Sequence, residues 1–408
     1  REAAFFVDNV LHLAPGPGDP TGPVPGPVAG MVCAWVITAF CIVQGPKTMS
    51  WVVYVTMPLP IICLAVLIGR AATLPGAGAG IDYYLNGSPL NPNPLANPRL
   101  WSAALEQIFF SLSVAFGIMP TYGSYVPRAK SILRNGLVVA ISNSAVSFLA
   151  GFCVFGALGF LADRSGLTMD ELLASNSAGG GGLAFITFPA ILATLPDARN
   201  FFAAVFFLML FTLGLDSAFS LVEAVAAIVK DHLPRRVRAE YVAPALCALL
   251  LLCGLPFTTP SGLYYVDIVD WYVTKLALIV GLVEVVAFAW FFGDAGLAGG
   301  QRFREQVVAL QEEAKGMLGT ASDAVAFTYV VLLKFVTAPL LLVAVAVALE
   351  SAFSQPVYGL PLGWQMVGGV WLILGVAIIV GMAFVPYTPF NGREAHEERK
   401  GGSVAVRL

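Results

Sequence analysis

The side chains best suited to hold an ion lie inside strongly apolar stretches of this chain. Asp216 stands near the middle of "FFLMLFTLGLDSAFSLVEAVAAIVKD" and is followed by Ser217. Together with the backbone carbonyl of Leu213, their side chains offer the hard oxygen ligands that suit Na+ and other hard cations. The alternative is an acid that is paired with a buried lysine or hydrogen-bonded to a neighbouring helix. Glu223, two turns later, is better explained by a hydrogen bond between helices.

Two amide–hydroxyl pairs share one spacing. Gln107 and Ser111 are four residues apart, as are Asn143 and Ser147 in a later apolar stretch, and residues four apart share a helix face. If the two faces meet, an amide oxygen and a hydroxyl can bind a cation, whereas amide N–H and hydroxyl donors can bind an anion. The alternative for each serine is a hydrogen bond to the carbonyl one turn earlier.

The stretch "EQIFFSLSVAFGIMPTYGSY" (106–125) is poorly suited to a continuous helix. Gly117 and Pro120 interrupt it, and proline removes a backbone hydrogen bond and clashes with the preceding turn. Irregular backbone at membrane depth is tolerated only where it lines a cavity or is buried in protein. Secondary transporters use such broken helices around a substrate at the midplane. A simple proline kink is the alternative.

The elements that carry these residues are membrane spans. The chain has 408 residues, of which 58% are hydrophobic and 12% charged, and a soluble domain of this size cannot bury so much apolar surface. Because about 20 apolar residues cross a bilayer core, the sequence predicts an integral membrane protein with nine spans, at 28–44, 50–70, 103–126, 136–162, 200–229, 240–256, 266–292, 325–349 and 363–385.

Basic residues predict the orientation of these spans. Of the 22 Lys and Arg residues, 15 lie in one set of alternating loops and the C-terminal tail, at 45–49, 127–135, 230–239, 293–324 and 386–408. The positive-inside rule therefore places the C-terminus in the cytoplasm and residue 1 outside. Asn86-Gly87-Ser88 is a glycosylation sequon in a predicted outer loop, although so short a motif also occurs by chance.

Two loops are predicted to have structure of their own. In the outer loop 164–199, the apolar stretch "GLAFITFPAILATLP" suggests a re-entrant or capping hairpin that is buried against protein. In the inner loop 293–324, "QRFREQVVALQEEAKGMLG" (301–319) is typical of an interfacial helix or of a solvated linker helix.

Several of these stretches resemble one family, the neurotransmitter:sodium symporters. "QIFFSLSVAFG" followed by "TYGSY" is similar to that family's sixth segment, and "FFLMLFTLGLDSAF" to its eighth. "GLAFITFPAI" resembles its outer loop between the seventh and eighth segments. "CGLPFTTPSGLYYVDIVDWY", "EVVAFAWFFG" and "LLKFVTAPLLL" resemble its ninth to eleventh segments. The order and spacing match throughout the chain.

The resemblance implies an all-α, inverted-repeat sodium symporter (LeuT-like) fold in one transporter domain over 1–408. Residues 1–27 would then be the end of an outer loop, 28–385 the nine spans, and 386–408 a cytoplasmic tail. On this interpretation the chain is a fragment that lacks the family's first three segments. It would act in the plasma membrane with a small-molecule substrate, with Na+ and Cl- as coupling ions, and with neither an organic cofactor nor nucleic acid. Its oligomeric state is left open.

The resemblance also implies a role for individual residues. Ser111 and Asn143 match the first sodium site, and the Leu213 carbonyl, Asp216 and Ser217 match the second. The chloride site of chloride-dependent members matches Gln107, Ser111, Asn143 and Ser147. The substrate-facing positions are Phe110, Ser111, Ser113, Phe116, Ser217, Ala218 and Leu221. Asp270 matches the outer gate, and Tyr125 and Asp231 match the inner gate.

The implied function is symport of a neutral amino acid by alternating access, without enzymatic chemistry. An amine, GABA or osmolyte carrier of the same family is one alternative, and a polytopic receptor or scaffold that does not transport is another. "SLSVAFG" looks more like the neutral amino-acid branch, and Ala115 stands where amine carriers usually have glycine. Pro120 departs from the family pattern and predicts an unusual kink in the inner half of its segment.

Overall fold

The structure is a computed structural model. It describes residues 5–18, 21–43, 46–88, 93–125, 132–174, 183–193, 195, 198–232, 239–291, 322–354, 360 and 362–383. All regular structure in these ranges is helical. The predicted interfacial helix (301–319) and the C-terminal tail lie outside the described residues.

Up to residue 174, the described residues form eight α-helices. Four of them begin with a proline, which suits the first helical turn because its missing N–H needs no partner there. Helix α5 has an additional cap, since the side chain of Asn97 accepts a hydrogen bond from the Arg99 backbone N–H at 3.0 Å. The helices are α1 Pro25–Ile42, α2 Pro46–Thr56, α3 Pro58–Ala72, α4 Ala77–Asn86, α5 Pro98–Ser111, α6 Ile118–Tyr125, α7 Ile132–Ser165 and α8 Met169–Ala174.

The second half continues with helices that include the longest apolar segments. A π-helical turn, Ala287–Phe291, directly follows the helix Gly262–Val286. Another, Leu333–Thr337, lies between the helices Ser322–Leu332 and Ala338–Ser354. The α-helices described in this half are α9 Phe188–Ala193, α10 Arg199–His232, α11 Val242–Gly254, α12 Gly262–Val286, α13 Ser322–Leu332, α14 Ala338–Ser354 and α15 Leu362–Ala383.

Each predicted span corresponds to helical structure in the described residues. Within the described residues, six helical segments are long and apolar enough to cross a membrane, and they cover Pro25–Ile42, Ser50–Ala72, Arg134–Ser165, Arg199–Lys230, Gly262–Trp290 and Phe327–Ser354. Helices α11 and α15 are also apolar but contain shorter qualifying stretches. The prediction of nine crossings therefore remains a prediction.

The helices that contact the broken segment 106–125 form two apolar clusters. Buried residues of α1, α10 and α11, such as Ile42, Phe219 and Cys247, form one apolar cluster. Helix α5 belongs to another, in which Phe109 packs with Leu278 of α12 and with α14. Helix α6 instead contacts α10. The two halves of the broken segment are thus held by different groups of helices.

The apolar stretch in the predicted outer loop is partly buried against protein, as predicted. It forms a π-helical turn, Leu183–Thr187, and then α9. Phe188, Ile191 and Leu192 pack against buried residues of α3, α7 and α10. The sequence over-predicted a hairpin, because only one short helix follows the π-helical turn in the described residues.

Candidate functional site

The segment 106–125 is a broken helix rather than a kinked one. Helix α5 ends at Ser111 and α6 begins at Ile118. Between them Ser113, Ala115 and Gly117 have φ angles of 53°, 68° and 75°, in the left-handed region that residues other than glycine rarely adopt. A continuous helix is impossible with alternate residues in this conformation, so the backbone opens where the paired spacings had suggested a site.

The expected kink at Pro120 is wrong. Pro120 is the third residue of α6, and the first turn of a helix has no intrahelical acceptor for its N–H groups. The first helical hydrogen bond comes directly after it, from the Thr121 N–H to the Gly117 carbonyl at 3.2 Å. Pro120 therefore fits the start of a new helix, and a kink there would require one continuous helix over 106–125.

One predicted contact between amide and hydroxyl is present. The Ser111 hydroxyl donates a hydrogen bond to the Asn143 side-chain oxygen, Oδ1, at 2.9 Å. This contact joins the last residue of α5 to α7, beside the break. Gln107 and Ser147 are both exposed, and no hydrogen bond connects them within the described parts of the chain.

Asp216 lies half-buried in α10, next to the end of α2. Its Oδ1 accepts a hydrogen bond from the Thr56 hydroxyl at 2.5 Å. The hydrogen bond to a neighbouring helix that was the alternative interpretation is therefore present. The lysine partner is not, because no ion pair to Asp216 is found among the described residues. Beside it, the Ser217 hydroxyl donates to the Leu213 carbonyl at 3.1 Å.

Helix α6 is attached to α10 through two tyrosines. The Tyr125 hydroxyl donates to Glu223 Oε1 at 2.9 Å, and the Tyr122 hydroxyl donates to the Ser220 hydroxyl oxygen at 2.9 Å. Glu223 is fully buried, with the Lys230 ammonium 3.6 Å from its Oε1. The prediction that Glu223 bonds between helices is confirmed. The side chain of Asp231, the other predicted inner-gate residue, lies outside the described part of the chain.

The predicted substrate-facing residues differ in their burial. Ser113 and Phe116 are half-buried within the break. Ala218 lines a cavity of about 360 Å³ between α1 and α10, together with Trp35 and Thr38. The other substrate-facing positions predicted on α5 and α10 are exposed, namely Phe110, Ser217 and Leu221. Leu213, predicted as a sodium ligand, and Asp270, predicted as a gate residue, are exposed as well.

An ion pair that the sequence did not predict lies beside the break. The Lys275 ammonium in α12 lies 3.0 Å from Glu106 Oε2 in α5, and the exposed fractions of the two side chains are 4% and 18%. The same ammonium lies 3.7 Å from the ring centroid of Trp271. An intramembrane lysine and an intramembrane glutamate are each a signal. Nothing in the sequence indicated that they meet, since 169 residues separate them.

Comparison with known proteins gives a consistent result along the chain. The model of the sodium:neurotransmitter symporter family matches residues 1–387. An uncharacterized sodium-dependent transporter of Methanocaldococcus jannaschii is 35% identical over 385 residues, which are 94% of this chain and 71% of that protein.

Two animal relatives are similar over shorter lengths. The human sodium- and chloride-dependent neutral and basic amino acid transporter B(0+) is 33% identical over 86% of this chain and 53% of its own length. The canine sodium- and chloride-dependent taurine transporter is 34% identical over 72% of this chain and 47% of its own length. The chain thus spans about half the length of these two relatives. With a family model matching nearly the whole chain, it belongs to the sodium:neurotransmitter symporter family, whose members are transporters and not enzymes.

Proposed function

We propose that the full-length protein is a Na+- and Cl--coupled symporter of a neutral amino acid. Membership of the family implies the LeuT-like transporter fold and a sodium-dependent, multi-pass membrane protein. The observation that carries the finer proposal is the half-buried carboxylate of Asp216. It lies in an apolar helix with a hydroxyl beside it and no ion pair in the described structure. Such a charge is costly unless a cation compensates it.

The cation site is proposed to use Leu213, Asp216 and Ser217. The Leu213 carbonyl and the Ser217 hydroxyl are already 3.1 Å apart, so two neutral oxygens lie side by side in the helix that carries Asp216. A second cation is assigned to Ser111 and Asn143, whose oxygens are 2.9 Å apart. Neutral oxygens together with one carboxylate suit a hard monovalent cation such as Na+.

Chloride is proposed to bind near the contact between α5 and α7. Asn143 and Ser111 could present an amide N–H and a hydroxyl there, and Gln107 and Ser147 could supply similar donors. Chloride dependence is named for the human and canine relatives. In this proposal the anion offsets part of the charge that two sodium ions bring into the apolar interior.

The substrate is proposed to be a neutral amino acid bound at the break. Ser113 and Phe116 are half-buried in the segment where three residues have left-handed backbone, so the N–H and carbonyl groups of 112–117 are not all used in helical hydrogen bonds. Those groups can bind the carboxylate and amine of an amino acid. The names of the relatives include neutral and basic amino acids and also taurine, so an osmolyte carrier is the second candidate.

In alternating access, the hydrogen bonds between α6 and α10 would close the inner gate. Sodium binding at Asp216 would stabilise one of the two states of the transporter, and the Na+ gradient would then drive the change between them. Tyr125 with Glu223, and Tyr122 with Ser220, would hold α6 against α10 on the proposed cytoplasmic side, at an inner gate to which Asp231 is also assigned. Asp270 is exposed on α12 and is proposed as the acidic residue of the outer gate.

Uptake in liposomes tests this function. The full-length protein is reconstituted, and uptake of labelled neutral amino acids, GABA and taurine is measured with an inward Na+ gradient and with choline in its place. We expect Na+-dependent uptake of a neutral amino acid that falls when gluconate replaces Cl-. Na+-dependent uptake of taurine alone would support the osmolyte carrier, and uptake that ignores Na+ would contradict both. Binding without uptake or counterflow would indicate a receptor or scaffold.

A further inference from the structure

The Thr56 hydroxyl donates a hydrogen bond to the Asp216 carboxylate and has no role in the site proposed above. Thr56 is the last residue of α2, and its buried side chain lies between that helix and α10. Its Oγ1 is 2.5 Å from Asp216 Oδ1 and 3.2 Å from the Val52 carbonyl oxygen. A hydroxyl carries one proton, so it can donate fully to only one of these two acceptors at a time.

The position of Thr56 follows from the local sequence. Helix α2 ends at Thr56 and α3 begins at Pro58, because a proline has no N–H to continue the hydrogen-bond ladder. The Met57 N–H still donates to the Val53 carbonyl at 3.0 Å. The last turn of α2 is therefore intact, and it directs the Thr56 side chain at the carboxylate.

The chemistry of the pair suggests what the hydroxyl does. The Asp216 carboxylate needs a donor or a cation, because an unpaired charge in an apolar surrounding is strongly disfavoured. In the described structure its donor is Thr56, and a hydrogen bond to a charged group is among the stronger ones. When a cation contacts Oδ1, the same proton would point towards the cation and be repelled. The Val52 carbonyl then offers an alternative acceptor within the same helix.

We propose that Thr56 is a positioning residue that stands in for the cation. With the site empty, its hydroxyl donates to Asp216 and keeps the carboxylate in place; with a monovalent cation bound, it donates to the Val52 carbonyl instead. Thr56 then stabilises the empty site more than the loaded one. Its effect is to weaken cation binding and to favour release, which a transporter needs as much as it needs binding. This inference rests on the proposed cation site at Asp216.

The test compares Thr56→Val, which keeps the shape and removes the hydroxyl, with Thr56→Ser, which restores it. The melting temperature of the full-length protein is measured in detergent against NaCl, with choline chloride holding the ionic strength constant. We expect Thr56→Val to lower the melting temperature without Na+. We also expect it to lower the half-saturating Na+ concentration about tenfold, the size of one strong hydrogen bond to a charge. Thr56→Ser should restore both values, and Thr56→Ala offers a second hydroxyl-free variant if the valine does not fold.

The outcomes separate this inference from the function on which it rests. A merely structural Thr56 would lower the melting temperature equally with and without Na+ and leave the half-saturating concentration unchanged. A Thr56 that ligates the cation would raise that concentration in Thr56→Val. Either result overturns the inference and leaves the cation site standing. The cation site is contradicted if Na+ does not stabilise the unsubstituted protein. It is also contradicted if Asp216→Asn gains as much stability from Na+ as the unsubstituted protein. In either case this inference is contradicted with it.

Discussion

Asp216 in α10 and Glu106 in α5 are two carboxylates in apolar helices that the fold treats differently. Glu106 has its counter-charge within the chain, the Lys275 ammonium at 3.0 Å. Asp216 has a neutral hydroxyl at 2.5 Å and no ion pair in the described structure. The first carboxylate needs nothing from outside the protein, whereas the second has negative charge left for a ligand. We therefore propose Asp216, whose charge is not balanced within the described structure, as the ion site, and Glu106 as a structural acid.

Glu223 stands between these two cases. It is fully buried and accepts from Tyr125, but the Lys230 ammonium is 3.6 Å away and its Oε2 has no hydrogen-bond partner in the described structure. Its charge is balanced by Lys230, which lies in the same helix, α10. Because Tyr125 joins it to α6, we assign Glu223 to holding α6 against α10.

The largest expected effect comes from breaking the balanced pair. Lys275→Met leaves the largely buried Glu106 charge without its partner, and the loss of one member of a buried ion pair typically costs about 3–5 kcal/mol. Glu106→Met with Lys275→Met removes both charges, and the new methionine at 275 can still pack on Trp271. We expect a large drop in melting temperature in detergent for the single variant and recovery of most of it in the double variant. If the double variant is as unstable as the single one, charge balance is not what the pair supplies.

A smaller, ligand-dependent effect is expected at Asp216. In the unsubstituted protein, Na+ at about 100 times its dissociation constant should stabilise the fold by about 2.7 kcal/mol. Asp216→Asn should lose most of this stabilisation while changing the melting temperature in choline chloride much less. Glu223→Gln is the matched control in the same helix, and it should retain the response to Na+. Equal losses in the two variants would mean that Asp216 is not distinguished from a structural acid.

The sequence predicted those features of the site that depend on the residues of a single helical segment. The break around Ser113 to Gly117 follows from residues that disfavour a continuous helix. The repeated spacing places Ser111 on one helix face with Gln107 and Asn143 on another with Ser147, and the Ser111–Asn143 contact shows that these faces meet. Pro120 was misjudged because its meaning depends on where the next helix starts. Pairing between helices distant in sequence was not predictable, since Thr56 with Asp216 and Glu106 with Lys275 depend on how the helices pack. The ionisable residues among them are each a signal in an apolar segment, but none of them indicates its partner.

The smallest effect is expected at a carboxylate exposed to water, Glu171 in the predicted outer loop. Its Oε2 accepts from the Thr168 backbone N–H at 2.8 Å and from the Thr168 hydroxyl at 2.9 Å, which is a capping box at the start of α8. The backbone hydrogen bond first, and the hydroxyl second, lower the pKa of Glu171. A carboxyl group whose pKa is lowered by folding stabilises the fold above its unfolded pKa of about 4.3. That contribution is lost as the pH falls through the lower folded value.

Hydrogen exchange of the amides at 169–174 can detect this local loss. Relative to the intrinsic rates, exchange in the unsubstituted protein should become a few-fold faster as the pH falls below about 4. Glu171→Gln keeps an acceptor for the cap but has no proton to gain, so its protection should not change with pH in this way. An identical pH dependence in the two proteins would contradict the assignment. The expected change is small because water, unlike the interior around Glu106, can solvate a carboxylate that has lost its partners.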